Sequence, residues 1–198
     1  MKRVSTHILL LLGLLLTLKA MAQPSKIIIP DCKDRYCEYV RTLESGNTKI
    51  DYLDFRNSFL KSSSPGRGTA YDSLEKLLRT DVDKENYTGI IKLTQAMLSL
   101  DYTSMLAHMY LQKAYKAIGD TLNSKKYHDI EFGLISSILK SGDGKTCETG
   151  WHVIQIDEEY FIINVVLGVK FSGQRLVHNK KNSCDLMETK TESGKVEN

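Results

Sequence analysis

Residues 141–146 contain Gly-Lys-Thr, which is how a phosphate-binding loop ends. That loop also requires a glycine five residues before Gly144, and Leu139 occupies this position. A calcium loop fails as well, because Lys145 stands where an acidic or amide ligand is needed. We therefore interpret Gly142 and Gly144 as parts of a tight turn that follows a helix.

Residues 157–159, Asp-Glu-Glu, form the densest acidic run. Two carboxylates can divide acid and base roles when their environments separate their pKa values. Neighbouring residues of a strand point to opposite faces, so Glu158 and Glu159 should not face one site. We interpret the run as a solvated turn between two strands. The alternative is an envelope hydrolase using His152 with Glu158 or Glu159, close to Asp143, although no Gly-x-Ser-x-Gly nucleophile motif is present.

Two predicted helices, residues 103–118 and 121–139, resemble one unit of a tetratricopeptide repeat. Leu111, Tyr115 and Gly119 match the L-x3-Y-x3-G spacing of that repeat. About one and a half repeats fit the sequence, whereas an independent solenoid needs at least three. The spacing therefore predicts an antiparallel helix pair rather than a repeat array.

Aligned on that repeat, His108 and His128 both occupy packing positions. We expect both imidazoles on the inward faces of the helix pair, where each needs a hydrogen-bond partner. One interpretation is two core histidines bonded to backbone carbonyls or tyrosine hydroxyls. The other is a shared polar pocket that binds a ligand, with Asp143 or Glu159 reaching in from the strand region.

Four cysteines follow the first 22 residues: Cys32, Cys37, Cys147 and Cys184. An even number of cysteines in an exported protein favours disulfides, and we expect the two local pairs, Cys32 with Cys37 and Cys147 with Cys184. A zinc site on Cys32 and Cys37 with His152 or His178 is the alternative. The chain offers neither a second close cysteine pair nor an H-x3–5-H for it. We expect no metal and no cofactor.

Residues 1–22 have the pattern of a secretory signal peptide. Lys2 and Arg3 precede an apolar run over residues 8–18, and Ala-Met-Ala then forms a cleavage site before Gln23. The run is too short for a membrane-spanning helix, which needs about 20 residues. The sequence predicts a secreted or periplasmic protein without a stable membrane anchor after cleavage.

The charge balance excludes one class of partner. The chain has 27 basic and 24 acidic residues, but Lys2, Arg3 and Lys19 lie in the signal peptide, which has no acidic residue. The mature chain therefore has 27 − 3 = 24 basic and 24 acidic residues and no net charge. Without excess positive charge we expect no binding to nucleic acid.

Hydrophobic periodicity predicts helices first and strands last, an α+β fold with segregated elements. Helical patterns begin near residues 50, 69, 83, 103 and 121, and the second opens on an apparent Thr69-x-x-Asp72 capping box. A β-rich part follows, and its run 160–167 could instead be a short helix. Its predicted strands are 153–156, 160–167, 174–178 and 184–188. The predicted divisions are a signal peptide (1–22), an N-terminal extension (23–49), one domain (50–188, helical over 50–141 and β-rich over 146–188) and a disordered tail (189–198).

Several short segments in fixed order are similar to an uncharacterised family of secreted proteins of about this length from the Bacteroides group of bacteria. They include Asp54-Phe55-Arg56, Ala107-His108, Gly119-Asp120, Gly133-Leu134-Ile135, Ser141-Gly142-Asp143-Gly144 and Glu158-Glu159-Tyr160. The resemblance covers roughly residues 50–188. It implies export and a fold class but no activity, because the family is a domain of unknown function.

Two classes of function remain after these exclusions. The first is a non-catalytic binding or protein-interaction module, whose partner is an unknown protein or small-molecule ligand, because repeat-like helix pairs usually supply a docking surface. The second is the envelope hydrolase described above. The sequence favours the first.

Overall fold

The computed structural model of the chain describes residues 27, 29, 32–64, 66–178, 183–190 and 196–197. The predicted signal peptide and its cleavage site lie outside the described residues. Within them, seven α-helices come first and a small antiparallel sheet follows, which confirms the α+β class. None of the described helices is both long and apolar enough to cross a membrane.

The helices are α1 (Arg35–Glu44), α2 (Tyr52–Phe59), α3 (Gly68–Asp83), α4 (Tyr87–Leu100), α5 (Met105–Ala117), α6 (Thr121–Leu139) and α7 (Ile156–Phe161). A turn of π-helix, Ile162–Val166, continues α7. The strands are β1 (Lys170–His178), β2 (Ser183–Lys190) and the two-residue β3 (Val196–Glu197). The last two residues of β2 and both residues of β3 therefore lie within residues 189–198, the predicted disordered tail.

Short polar side chains set most helix starts. Each accepts a hydrogen bond from a backbone amide of the first turn, which would otherwise lack a partner. The capping residues are Asp34 for α1, Asp51 for α2, Asn86 for α4, Ser104 for α5 and Asp120 for α6. The capping box predicted at Thr69 is wrong, because α3 begins at Gly68 and has no side-chain cap.

Two regions differ from the sequence prediction. Residues 35–44, expected in an extension, form α1 and bury Tyr36, Val40 and Leu43. No strand forms over 153–156 or 160–167; the second run is helical, as the alternative interpretation had it. Its consecutive apolar residues Phe161, Ile162 and Ile163 are all buried, so they lack the alternation that separates a strand from a helix.

The helices α3 to α6 pack against one another in chain order, and α2 packs against both α1 and α6. Gly119 makes the sharp connection between α5 and α6 with φ +83°, a conformation that glycine adopts readily. The pairing of α5 and α6 agrees with the expected helix hairpin; membership of the tetratricopeptide repeats is not established by it. Leu111, Ile130, Leu134 and Ile138 are fully buried between these helices and their neighbours.

The β-hairpin is largely exposed. In β1 and β2, Lys170 pairs with Lys190 and His178 with Ser183, and an irregularity lies between Phe171 and Gly173. Side-chain links to the helical part include the Cys147–Cys184 disulfide and the edge-on contact between Tyr160 and Phe171. Neither β1 nor β2 contains a fully buried residue, so the hairpin is only weakly packed on the protein.

Breaking the Cys147–Cys184 disulfide should loosen the hairpin selectively. We expect the double variant C147S/C184S to speed amide hydrogen exchange in β1 and β2 on the order of tenfold, because the bond restrains this weakly packed element. Amides of α4 and α5 should keep their wild-type rates. The matched control, C32S/C37S, should leave the hairpin unchanged, and equal exchange in both double variants would contradict the expectation.

Gly133 lies where α6 touches α2. A Cβ added to it would come within 2.2 Å of the Tyr52 ring, which is held by a hydrogen bond to the Thr48 carbonyl oxygen. We expect Gly133→Ala to destabilise the protein by about 1–2 kcal/mol in urea unfolding, although alanine favours helices. The same change in a Tyr52→Leu background should cost less, since the clashing ring is gone. A stabilising effect in the wild-type background would show that the helices separate freely.

Candidate functional site

A cleft of about 320 Å³ lies between α3, the start of α5 and the segment formed by α7 and the π-helix. This volume is at the lower end for ligand pockets, which span about 300–1,000 Å³. Charged side chains of α3 and α7 line one part, and Met105, Leu106, Phe161 and Val165 line an apolar part. The combination of an apolar wall with a few polar groups is typical of binding sites.

A buried ion pair fixes one wall of the cleft. Glu158 receives hydrogen bonds from Arg56 Nε at 2.9 Å and Nη2 at 2.6 Å, and the side chains are 2% and 0% exposed. Arg56 also donates to the His152 carbonyl oxygen, and Glu158 accepts from the Ile154 amide at 2.8 Å. The pair joins α2 to the start of α7 across 102 residues of sequence.

Glu158 is therefore not part of a solvated turn, and that interpretation of the acidic run is wrong. Residues 157–159 form the first turn of α7, where negative charge is favoured by the helix dipole. Once the run is helical, its three carboxylates point in different directions around the axis. Glu158 is the most deeply buried of the three, and its carboxylate meets Arg56.

A second ion-pair cluster lies at the mouth of the cleft. Arg67 bonds Asp101 at 2.5 Å and also pairs with Asp157. Asp101 is fully buried and accepts from the Thr103 amide and from Gln155 Nε2. Burial alone would lower the pKa of Arg67, but its interactions with Asp101, Tyr71 and Glu158 together outweigh burial and raise that pKa above its ordinary value. Arg67 stays charged and links α3, the α4–α5 connection and α7.

The wall formed by α3 carries a more exposed ion pair. Arg79 Nη2 lies 2.5 Å from Glu75 Oε1 one turn earlier, and the Arg79 side chain is 74% exposed. On the same helix, the hydroxyl of the buried Tyr71 bonds Ser104 Oγ at 2.5 Å, and burial raises the pKa of Tyr71 to about 12. Tyr71 is therefore neutral, and the charges of this wall are those of Arg79 and Glu75.

The π-helix supplies the opposite wall. Its wider turn is closed by a hydrogen bond from the Leu167 amide to the Ile162 carbonyl oxygen at 2.9 Å. Ile162 and Ile163 are buried, while Asn164 and Val165 line the cleft. Turns of π-helix are rare and occur often at functional sites, because they redirect side chains.

The structure separates the two predicted histidines. His108 is fully buried, and its Nε2 lies 2.8 Å from the Tyr102 carbonyl oxygen, as the core interpretation expected. His128 is exposed, so the prediction that both face inward is wrong for this residue. Tyr127 takes the inward position and stacks on His108 at 5.9 Å. The repeat alignment misplaced α6 by one residue, which rotates a side chain by about 100°.

Asp143 and Glu159 do not complete a pocket with these histidines. Asp143 is exposed in the turn after α6 and accepts hydrogen bonds from Thr149 and from the Lys145 amide, which hold its pKa low. Glu159 is half-buried, and burial raises its pKa. The shared pocket needed both imidazoles to face inward and is not formed. That any of these residues binds a ligand stays a prediction.

The residues of the hydrolase alternative have other partners. Both carboxylate oxygens of Glu158 bond Arg56, so Glu158 is not a free base. The His152 side chain is exposed, while its backbone amide bonds Ser141 Oγ at 2.7 Å. A hydrolase of this kind would have to rely on Glu159.

No sequence pattern predicts the polar cluster around Glu44 at the end of α1. Its carboxylate accepts from the Tyr102 and Tyr127 hydroxyls and pairs with Lys126 at 3.1 Å. Burial, followed by the Glu44 charge, raises the pKa of both tyrosines. This cluster surrounds His108 and stabilises the junction of α1, α5 and α6.

The cysteines form the two predicted disulfides, Cys32–Cys37 and Cys147–Cys184. Cys32, Asp34 and Cys37 are close enough together to hold a metal ion, the one such group within the described residues. Because the two sulfurs are bonded to each other, they are not thiolate ligands. The zinc alternative therefore has no support in this geometry.

The fold and cleft define an α+β protein in which a helical body carries a small β-hairpin. The chain belongs to the family DUF4919, a domain of unknown function, whose model matches residues 24–198. This agrees with the resemblance to an uncharacterised family, and the implied Bacteroides origin stays a prediction. No curated protein and no solved structure matches the chain.

Proposed function

We propose that the protein is a non-catalytic binding module and that the cleft between α3, α5 and α7 is its ligand site. The pairing of the ionisable groups carries this proposal. Glu158 is bound to Arg56, Asp101 and Asp157 to Arg67, and Glu75 to Arg79. A catalytic acid or base needs a proton-transfer site near the substrate, and each of these carboxylates is instead bound by a guanidinium group.

Two buried ion pairs also hold the elements around the cleft in place. The Arg56–Glu158 and Arg67–Asp101 pairs are desolvated and hydrogen-bonded on several sides. Such pairs specify one arrangement of the elements they join, because any other leaves a buried charge without a partner. A preorganised cleft binds a ligand with a smaller loss of conformational entropy.

Capture of small molecules tests the proposal. The purified protein is incubated with a small-molecule extract, separated from free solutes by gel filtration, and analysed for released compounds by mass spectrometry. We expect wild-type protein to retain a compound that Val165→Trp, which fills the cleft, does not retain. The matched control is Leu122→Trp, on a side chain that is 80% exposed on α6 and does not line the cleft. Retention by Val165→Trp at the wild-type level would contradict the proposal.

We further propose that the chain is exported to the periplasm or beyond. The signal-peptide pattern of residues 1–22 supports this, and so do two disulfides, which persist in oxidising compartments. The intact mass of the protein from its own cells should correspond to a chain that begins at Gln23. A mass that retains residues 1–22 would overturn the proposal.

A further inference from the structure

We propose that the ligand of the cleft is a small zwitterion of the class of free amino acids and dipeptides. This inference rests on the proposed function, because it concerns the same cleft. Three observations support it. The cleft lining carries charges of both signs, some of these charged side chains are exposed and can change partner, and an apolar wall lies beside them.

The open part of the cleft carries two pairs of opposite charges. Arg79 and Glu75 form one pair on α3, and Arg67 and Asp157 form the other between α3 and α7. Charges of both signs therefore lie close together in the lining of the cleft. A ligand with a carboxylate and an ammonium group offers a partner to both signs.

One member of each pair is exposed and can change partner. Arg79 and Asp157 are 74% and 58% exposed, whereas their partners Glu75 and Arg67 are 25% and 17% exposed. Water solvates an exposed charge, so Arg79 and Asp157 can leave their partners at a modest cost. The guanidinium of Arg79 can take a ligand carboxylate in the two-bond geometry it favours, and Asp157 can accept from an ammonium group. Arg67 keeps Asp101 when Asp157 turns to the ligand.

The wall beside the charges is apolar. Met105, Leu106, Phe161 and Val165 line it, and Asn164 adds an amide that can bond a peptide group. A cleft of about 320 Å³ limits the ligand to a small molecule. An amino acid or dipeptide with an aliphatic side chain fulfils these requirements together.

Calorimetric titration of the full chain with L-leucine and L-leucyl-L-leucine tests the inference. Each probe is compared with its N-acetyl form, its C-terminal amide and the doubly blocked form. We expect at least one zwitterion to bind and each single block to weaken it about tenfold or more, since each removes a charge-assisted hydrogen bond. Doubly blocked probes that bind as well as the zwitterions would overturn the inference.

Variants locate the binding. Arg79→Gln should weaken binding of the zwitterion, and blocking the ligand carboxylate should then cause no further loss of affinity. Asp157→Asn should likewise weaken binding, and blocking the ligand amino group should then cause no further loss. Lys125→Gln is the matched control, because Lys125 forms a comparable pair with Asp129 one turn away on α6. Equal affinity in all three variants would overturn the inference.

The experiment separates the two proposals. If neither zwitterion binds while Val165→Trp still abolishes capture from the extract, the ligand class is wrong and the cleft remains a binding site. If neither zwitterion binds and no compound depends on Val165, both proposals are wrong.

Discussion

Replacing Arg56 by methionine should lower the free energy of unfolding by about 3–5 kcal/mol, because it leaves the Glu158 carboxylate buried without its cation. The two side chains are 0% and 2% exposed, so water does not replace the lost partner. The same change breaks the link from α2 to the start of α7. Urea unfolding followed by far-UV circular dichroism measures the loss.

Two further variants make this result specific. Arg35→Met removes an arginine that pairs with Asp54 but is 66% exposed, and should lower the free energy of unfolding far less than Arg56→Met does. The double variant R56M/E158L should recover much of the loss, because no unpaired charge remains. If Arg56→Met and Arg35→Met are equally stable, the buried pair does not hold the cleft wall in place.

Acid should destabilise the protein through His108 as the pH falls below 6.5. Burial lowers the pKa of His108 to about 4 from 6.5, so below pH 6.5 the unfolded chain binds a proton that the folded protein does not. The free energy of unfolding is therefore not reduced by His108 above pH 6.5. It falls by about 3 kcal/mol in total as the pH drops from 6.5 towards 4. Unfolding curves at intervals between pH 7 and pH 4 measure this loss.

Other groups titrate in the same range, so the comparison with His108→Gln is essential. Glu44 and Asp101 raise the pKa of His108 while Lys126 lowers it, and all three stay in the variant. Burial raises the pKa of Glu131 to about 7, which adds stability as the pH falls and partly offsets the loss from His108. We expect the variant to lose the acid sensitivity between pH 6.5 and 4. Parallel pH profiles for the two proteins would contradict the assignment.

The helical half of the fold could be predicted from local sequence, because its apolar spacing and capping residues act over a few residues. In α5, the run Leu111, Ala114 and Tyr115 has the spacing of one helix face, and all three are buried. The apolar residues Tyr36, Val40 and Leu43 of α1 have comparable helical spacing, although the sequence prediction placed them in an extension. The continuous apolar run in the π-helix has no periodicity, so the sequence alone does not distinguish a strand over residues 160–167 from a short helix.

The cleft could not be predicted from spacing. Arg56 and Glu158 are 102 residues apart, and no local pattern connects them. The one available signal was that both residues occur in segments that carry the resemblance to the family. The predicted inward orientation of His128 is wrong for a different reason. In a helix, an alignment error of one residue is enough to turn an inward position outward.

Methyl chemical-shift mapping tests the central claim, that the cleft is a ligand site, most directly. The folded chain, with labelled leucine, valine and isoleucine methyl groups, is titrated with a mixture of small polar fragments. The account predicts shifts concentrated at Leu106 and Val165, which line the cleft, with none at the exposed Leu122. Shifts centred on Leu122, or none at Leu106 and Val165, would contradict it.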